Sequence, residues 1–122
     1  MTPDRQRIGH EGEAVARKRL SAMGYWVLEV NYRAKGGEID IVCTKGKTLV
    51  FVEVRTRGPS TCGSPEESIT AAKRGHLVAA AQEYIQAKEV GDVEWRIDVV
   101  AIEYGHDGKV TRLDVMENAV EI

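Results

Sequence analysis

From Arg7 to Met23 the apolar residues Ile8, Val15, Ala16, Leu20 and Met23 recur at helical spacing, while Arg17, Lys18 and Arg19 crowd the remaining arc. Gly24 follows the last of them, where a helix ends most easily. This predicts a first helix, preceded by a flexible polar arm over residues 1–6. The pattern then changes to period two. Tyr25–Asn31 predicts a strand, with Trp26, Leu28 and Val30 alternating against Tyr25, Val27 and Glu29. Tyr32–Gly37 reads as a basic loop whose Gly36-Gly37 pair permits positive φ or close approach of another backbone. Two β-rich runs follow, Glu38–Thr44 and Thr48–Arg57, joined tightly through a glycine-bearing turn.

Gly58–Pro65 is a loop of small residues with two prolines, and is expected to be mobile. Ser64-Pro65-Glu66-Glu67 carries a helix-start signature, with either a continuous helix or a short turn and a restart at Ser68 or Thr70. Ile69, Ala72, His76, Leu77, Ala80, Ala81, Tyr84 and Ile85 then hold the helical period. Gly75, costly inside a helix, suggests close packing there. Val93–Glu103 predicts a strand whose two sides are Trp95, Ile97, Val99, Ala101 and Arg96, Asp98, Val100, Ile102. Lys109–Val115 predicts a last strand, at a sheet edge. The order α-β-β-β-α-β-β implies an α/β fold, a mixed β-sheet flanked by helices, in a single domain over residues 1–122.

Composition changes this picture little. No apolar run approaches the roughly 20 residues of a membrane helix, and the N-terminus lacks a signal-peptide core, so a cytoplasmic protein with no membrane partner is expected. Cys43 and Cys62, far apart, read as reduced thiols. The net charge of −2 hides an asymmetry: Lys and Arg outnumber Asp and Glu over residues 1–61, and the reverse holds over 62–122. A basic face in the first half suits a phosphate backbone, but strong nonspecific binding of nucleic acid is not expected. His10, His76 and His106 stand at no zinc spacing, and no nucleophile elbow or phosphate-cradling glycine loop is present.

The candidate chemistry lies in the paired strands. Asp40 and Glu53 interrupt runs otherwise suited to burial, and buried acids need partners. A two- or four-residue loop places Asp40 directly opposite Glu53 and Glu38 opposite Arg55, on one face with Val42, Leu49 and Phe51. Carboxylates that close either hold a cation such as Mg²⁺ or form a salt-bridged cluster with Arg55. Glu13, at the edge of the first helix's apolar stripe, and Asp98, in an apolar strand, each have a structural reading as well as one at a metal site. Arg33, Lys35, Arg57, Lys73 and Arg74 form a plausible phosphate track, with Tyr32 and Trp26 as candidate stacking partners.

Gly-Glu-Ile-Asp-Ile-Val, then Phe-Val-Glu-Val-Arg-Thr-Arg, and downstream Trp-Arg-Ile-Asp-Val-Val resemble the YraN-like family of small bacterial proteins. The resemblance extends to Gly-His-Glu-Gly-Glu-Ala in the first helix and Thr-Ala-Ala-Lys in the second. That family is similar to the PD-(D/E)XK nucleases, with their restriction-endonuclease-like fold, and to Holliday-junction resolvases. The resemblance implies a Mg²⁺- or Mn²⁺-dependent endonuclease acting on DNA, branched or single-stranded forms included, and a possible homodimer. It makes Asp40, Glu53 and the Val54 carbonyl the metal ligands, with Glu13 completing the set and Arg55 in the catalytic lysine position; beside these, Glu38 and Asp98 are candidates to support the site from its margin. The implied ion polarises the scissile phosphate and activates water for in-line attack. Arg55 departs from the pattern, because arginine cannot lose a proton and serve as base. The alternative is a nucleic-acid-binding or protein-interaction module on the same fold, with a structural acid cluster.

Overall fold

A computed structural model describes residues 5–122, with side chains from Glu11 onward. Residues 1–4 of the expected arm, and the Ile8 side chain, lie outside the described residues. Arg5 and Gln6 already belong to the first helix, α1 (Arg5–Ala22). Five strands follow around a second helix: β1 (Trp26–Ala34), β2 (Gly37–Lys45), β3 (Thr48–Arg57), α2 (Ala71–Ala87), β4 (Trp95–Tyr104) and β5 (Val110–Met116). They form one sheet in the order β1-β2-β3-β4-β5, with β3 and β4 parallel and the other pairs antiparallel. The α/β class, the mixed sheet and the element order are those predicted. So is the edge position of β5.

The sheet separates two cores. On one side Ala16 and Leu20 of α1 pack on Tyr25, Ile41, Cys43, Val50, Val52, Val100 and Ile102. On the other, Leu77, Ala80, Ala81 and Tyr84 of α2 cover Ile39, Val42, Leu49, Phe51, Ile97 and Val99. The period-two alternation of β3 and β4 produces this division, since neighbouring residues face opposite sides. Met23, expected on the apolar stripe of α1, follows the end of the helix and is exposed.

Several boundaries differ for identifiable reasons. β1 runs on to Ala34, so the expected loop over Tyr32–Gly37 shrinks to a turn. Its strand is bulged between Val27 and Glu29, and Asn31 takes φ +53°, a conformation asparagine tolerates better than most residues. The turn packs on α2: a side chain at Gly36 would meet Ala79 Cβ at 3.1 Å, and one at Gly37 would meet the His76 carbonyl oxygen at 3.3 Å. Close approach is the reason for this glycine pair. Gly75 does not share it, because nothing lies within 4 Å of where its side chain would be, and His76 is exposed.

Ser64 and Glu67 form a reciprocal capping pair, each side chain accepting from the other's amide at 3.3 Å. The turn they open is a single 3₁₀ turn, Glu66–Ser68. Ile69 is then extended, and α2 restarts behind Thr70, whose side chain caps the Lys73 amide at 3.1 Å. Of the two sequence readings, this is the one with a restart.

Candidate functional site

The hairpin between β2 and β3 turns through Gly46 and Lys47, with Gly46 at φ +60° where a type II′ turn needs glycine. Pairs run from Lys45 with Thr48 to Ile41 with Val52. The next position in this register sets Asp40 opposite Glu53, as the loop length predicts. There the regular ladder stops. Ile39 and Ile41, two residues apart, belong to opposite cores, so the pleat of β2 is broken at Asp40. The Asp40 carboxylate uses the break: its Oδ2 accepts from the Val54 amide at 2.8 Å.

Glu53 is 5 % exposed, on the α2 side of β3 in sequence with Leu49 and Phe51. Its Oε2 is buried and makes no hydrogen bond. Lys73 Nζ lies 3.5 Å from Oε2, and Arg55 Nε lies 3.9 Å from Oε1. Burial, followed by the charge and hydrogen bonding of Asp40, raises the Glu53 carboxyl to about 8, against the opposing pull of Lys73 and Arg55. The Nε atoms of Arg55 and Arg57, at alternate positions of β3, are also buried without hydrogen-bond partners. One end of the α2-side core is thus an acid pair bordered by Lys73 and Arg55.

This arrangement can attract a hard cation to the carboxylates and an anion to the guanidinium and ammonium groups. Asp40 and Glu53 offer the oxygen donors that Mg²⁺ takes, one or two carboxylates with water filling the remainder. The unbonded, buried Oε2 of Glu53 is the observation that fits such an ion. The fit is with two acids. Among the described residues no group of three or more His, Cys, Asp or Glu is placed to hold a metal. Glu13 instead accepts from Asn31 Nδ2 at 3.4 Å. Asn31 lies between the pairs Val30–Ile41 and Tyr32–Ile39, hence opposite Asp40, so Glu13 reaches the site's border through a neighbour. Gly12 brings α1 close, since a side chain there would meet Thr56 Cγ2 at 2.6 Å.

The other expected residues divide. Lys73 is drawn into the acid pair, away from the open phosphate track. Arg33, Lys35 and Arg74 are exposed, Arg33 beside Glu38 on the β1–β2 ladder and Lys35 in the turn, where its amide donates to Glu83 at 2.8 Å. Glu38 pairs with Arg33 where the sequence reading set it opposite Arg55, because the β2–β3 ladder ends before it. Tyr32 is not free to stack on a base; it packs edge-on against Tyr84 at 4.9 Å. Trp26 is exposed but sits opposite Thr44, toward the hairpin turn and away from Asp40.

Asp98 takes the structural of its two readings, a buried acid paired with Arg96 and accepting a loop amide, and not the one at a metal site. Its Oδ1 accepts from Arg96 Nε and the Asn118 amide, both at 2.9 Å, and its Oδ2 from the Tyr25 hydroxyl at 2.8 Å. Every one of these partners belongs to the fold, and none is at the Asp40–Glu53 pair. Asn31 was not singled out in the sequence; the signal for it is an asparagine inside a strand, a residue suited to positive φ.

Comparison with known proteins follows this geometry. A family model described as "Uncharacterised protein family UPF0102" matches residues 12–102, which include α1 from Gly12, the hairpin, α2 and most of β4. The chain belongs to the UPF0102, or YraN-like, family. A UPF0102 protein of Roseiflexus castenholzii is 43% identical over 122 residues, covering 99% of this chain and 98% of its own. One of Moorella thermoacetica is 41% identical over 119 residues, covering 98% and 99%. The UPF0102 match contains every acid and arginine of the site described above. No helix among the described residues is long and apolar enough to cross a membrane.

Proposed function

We propose that this UPF0102 protein is a metal-dependent endonuclease-like phosphodiester hydrolase that takes DNA, branched or single-stranded forms included, as substrate. The observation that carries this reading is the Glu53 carboxylate, buried beside Asp40 with an oxygen that forms no hydrogen bond. Asp40 and Glu53, with the Val54 carbonyl, are the groups for Mg²⁺ or Mn²⁺. The chemistry such an ion supplies when bound is Lewis-acid polarisation of a phosphate oxygen and activation of water.

The chain's own residues do the rest. Asp40 is fixed by the Val54 amide, so one carboxylate of the pair is oriented before anything binds. Arg55 and Arg57, whose Nε groups make no hydrogen bond, stabilise negative charge on the phosphate. An arginine is no base, so the proton of the attacking water would pass to a carboxylate, the phosphate or solvent. Arg33, Lys35 and Arg74, exposed at the end of β1, in the turn after it and on α2, position the backbone of the DNA strand.

A second reading is favoured by the cations at Glu53: with Lys73 and Arg55 beside it, the cluster is already partly neutralised, as in a binding module without catalysis. One assay separates the two. Wild type and Glu53→Ala are incubated with duplex, single-stranded and branched DNA in Mg²⁺ or Mn²⁺. Cutting by wild type alone supports hydrolysis by this site. No cutting by wild type, or equal cutting by both, overturns it.

A further inference from the structure

The two cations beside Glu53 are held differently. Arg55 is two residues along the same strand, with its Nε buried. Lys73 arrives from another element, the first turn of α2, where the Thr70 cap fixes its backbone. Its side chain is 30% exposed, against 6% for that of Glu53. At 3.5 Å with no hydrogen bond, its contact with Oε2 is one of charge alone. A lysine ammonium on a flexible four-carbon stem can swing out of such a contact at little cost. Oε2 is also the oxygen that a divalent ion between Asp40 and Glu53 requires. Two cations cannot share it without repulsion, and a displaced ammonium is free to meet a phosphate of a bound strand.

We propose that Lys73 is an exchangeable cation of this site: it rests against Oε2 of Glu53 until a divalent ion takes that oxygen, and then turns to a phosphate oxygen of the nucleic acid. The inference rests on the metal-dependent reading above and adds to it an internal competitor for the metal. Lys73 thereby keeps Glu53 paired when metal is scarce and becomes a substrate contact when metal is present.

Competition has a signature that a merely structural or purely substrate-binding lysine lacks. Removing the ammonium strengthens metal binding while weakening the handling of DNA. Mn²⁺ is titrated by calorimetry into wild type, Lys73→Met, Lys73→Gln and Lys73→Arg at one ionic strength and without DNA. Folding of each variant is checked by its thermal transition. Lys73→Met and Lys73→Gln are expected to bind Mn²⁺ on the order of tenfold more tightly, from loss of a like charge within a few ångströms. Lys73→Arg stays near wild type. With Mn²⁺ and DNA both present, the two neutral variants cut more slowly than wild type. If wild type binds Mn²⁺ and the neutral variants bind no more tightly, the exchange is refuted while the metal site stands. If wild type binds no Mn²⁺ at all, both the exchange and the metal-dependent reading fall.

Discussion

Asp98 and Glu53 are buried acids on adjacent parallel strands, and their surroundings are opposite. Asp98 has both oxygens engaged, by Tyr25, Arg96 and the Asn118 amide, and these bonds tie the start of β1, β4 and the C-terminal segment together. Burial and Asp98 raise the Tyr25 hydroxyl to about 12, so it remains a donor. Glu53 has an oxygen without a hydrogen bond, an acid for a neighbour, and cations held only by charge. Desolvation penalises both carboxylates; what differs is whether the fold supplies the bonds that offset it. An acid whose oxygens are filled belongs to the architecture. One left open is available for chemistry.

The comparison is broken most forcefully at Asp98. Asp98→Ala leaves Arg96 without its carboxylate and the Tyr25 and Asn118 donors unbonded, and is expected to cost about 3–5 kcal/mol in chemical denaturation. A cost under about 1 kcal/mol contradicts the structural role. Next in size is metal stabilisation. On the proposed metal-dependent reading, Mn²⁺ at about 100 times its dissociation constant is expected to add about 2.7 kcal/mol to the stability of wild type and nothing to Glu53→Gln. Thermal scans with and without Mn²⁺ read this directly.

Without metal, Glu53→Gln has the reverse sign from Asp98→Ala. The native Glu53 carboxyl titrates at about 8, above its ordinary value of 4.5, so the folded protein holds a proton there that the unfolded chain has lost. Its contribution is full below about pH 4.5, declines as pH rises, and is gone above about 8. Glu53→Gln keeps the neutral form throughout. It is expected to match wild type near pH 5 and to exceed it by about 1 kcal/mol or more at pH 9. A variant less stable than wild type at pH 9 refutes the strained-acid account.

The smallest effect is expected at the surface. Arg112 bonds both oxygens of Glu66, at 2.9 and 2.7 Å, and so fastens the 3₁₀ turn before α2 to β5. This pairing lowers the Glu66 carboxyl to about 2. Arg112→Ala lowers the melting temperature modestly at pH 7, and the difference from wild type shrinks as pH falls from 4.5 through 2, as Glu66 becomes protonated in the folded state too. A pH-independent difference points to lost packing in place of the ion pair.

Much of this was written along the chain because it is local. Periodicity separates helix from strand, a two-residue turn sets the β2–β3 register as far as Ile41 and Val52, and the next residues, Asp40 and Glu53, are close enough in the fold for the Asp40 charge to act on Glu53. The family motifs lie in the same short stretches. The sequence misplaced residues whose roles depend on distant partners: Gly75 was credited with the close packing that Gly36 and Gly37 provide, and Glu38 was set opposite Arg55 where the ladder had already ended. For Asp98 the chain points to the pairing with Arg96 two residues away, but the Tyr25 and Asn118 partners, remote in sequence, come only from the fold.

The chain alone therefore determined the elements, their order and the acid pair on the hairpin, for these follow from neighbours within a few residues and from the length of one turn. Only the tertiary structure decided which acid is satisfied, which cation reaches Glu53, and that β2 breaks its pleat at Asp40. Those depend on how α1 and α2 pack on opposite faces of the sheet, and no period within a single segment encodes the distance between two.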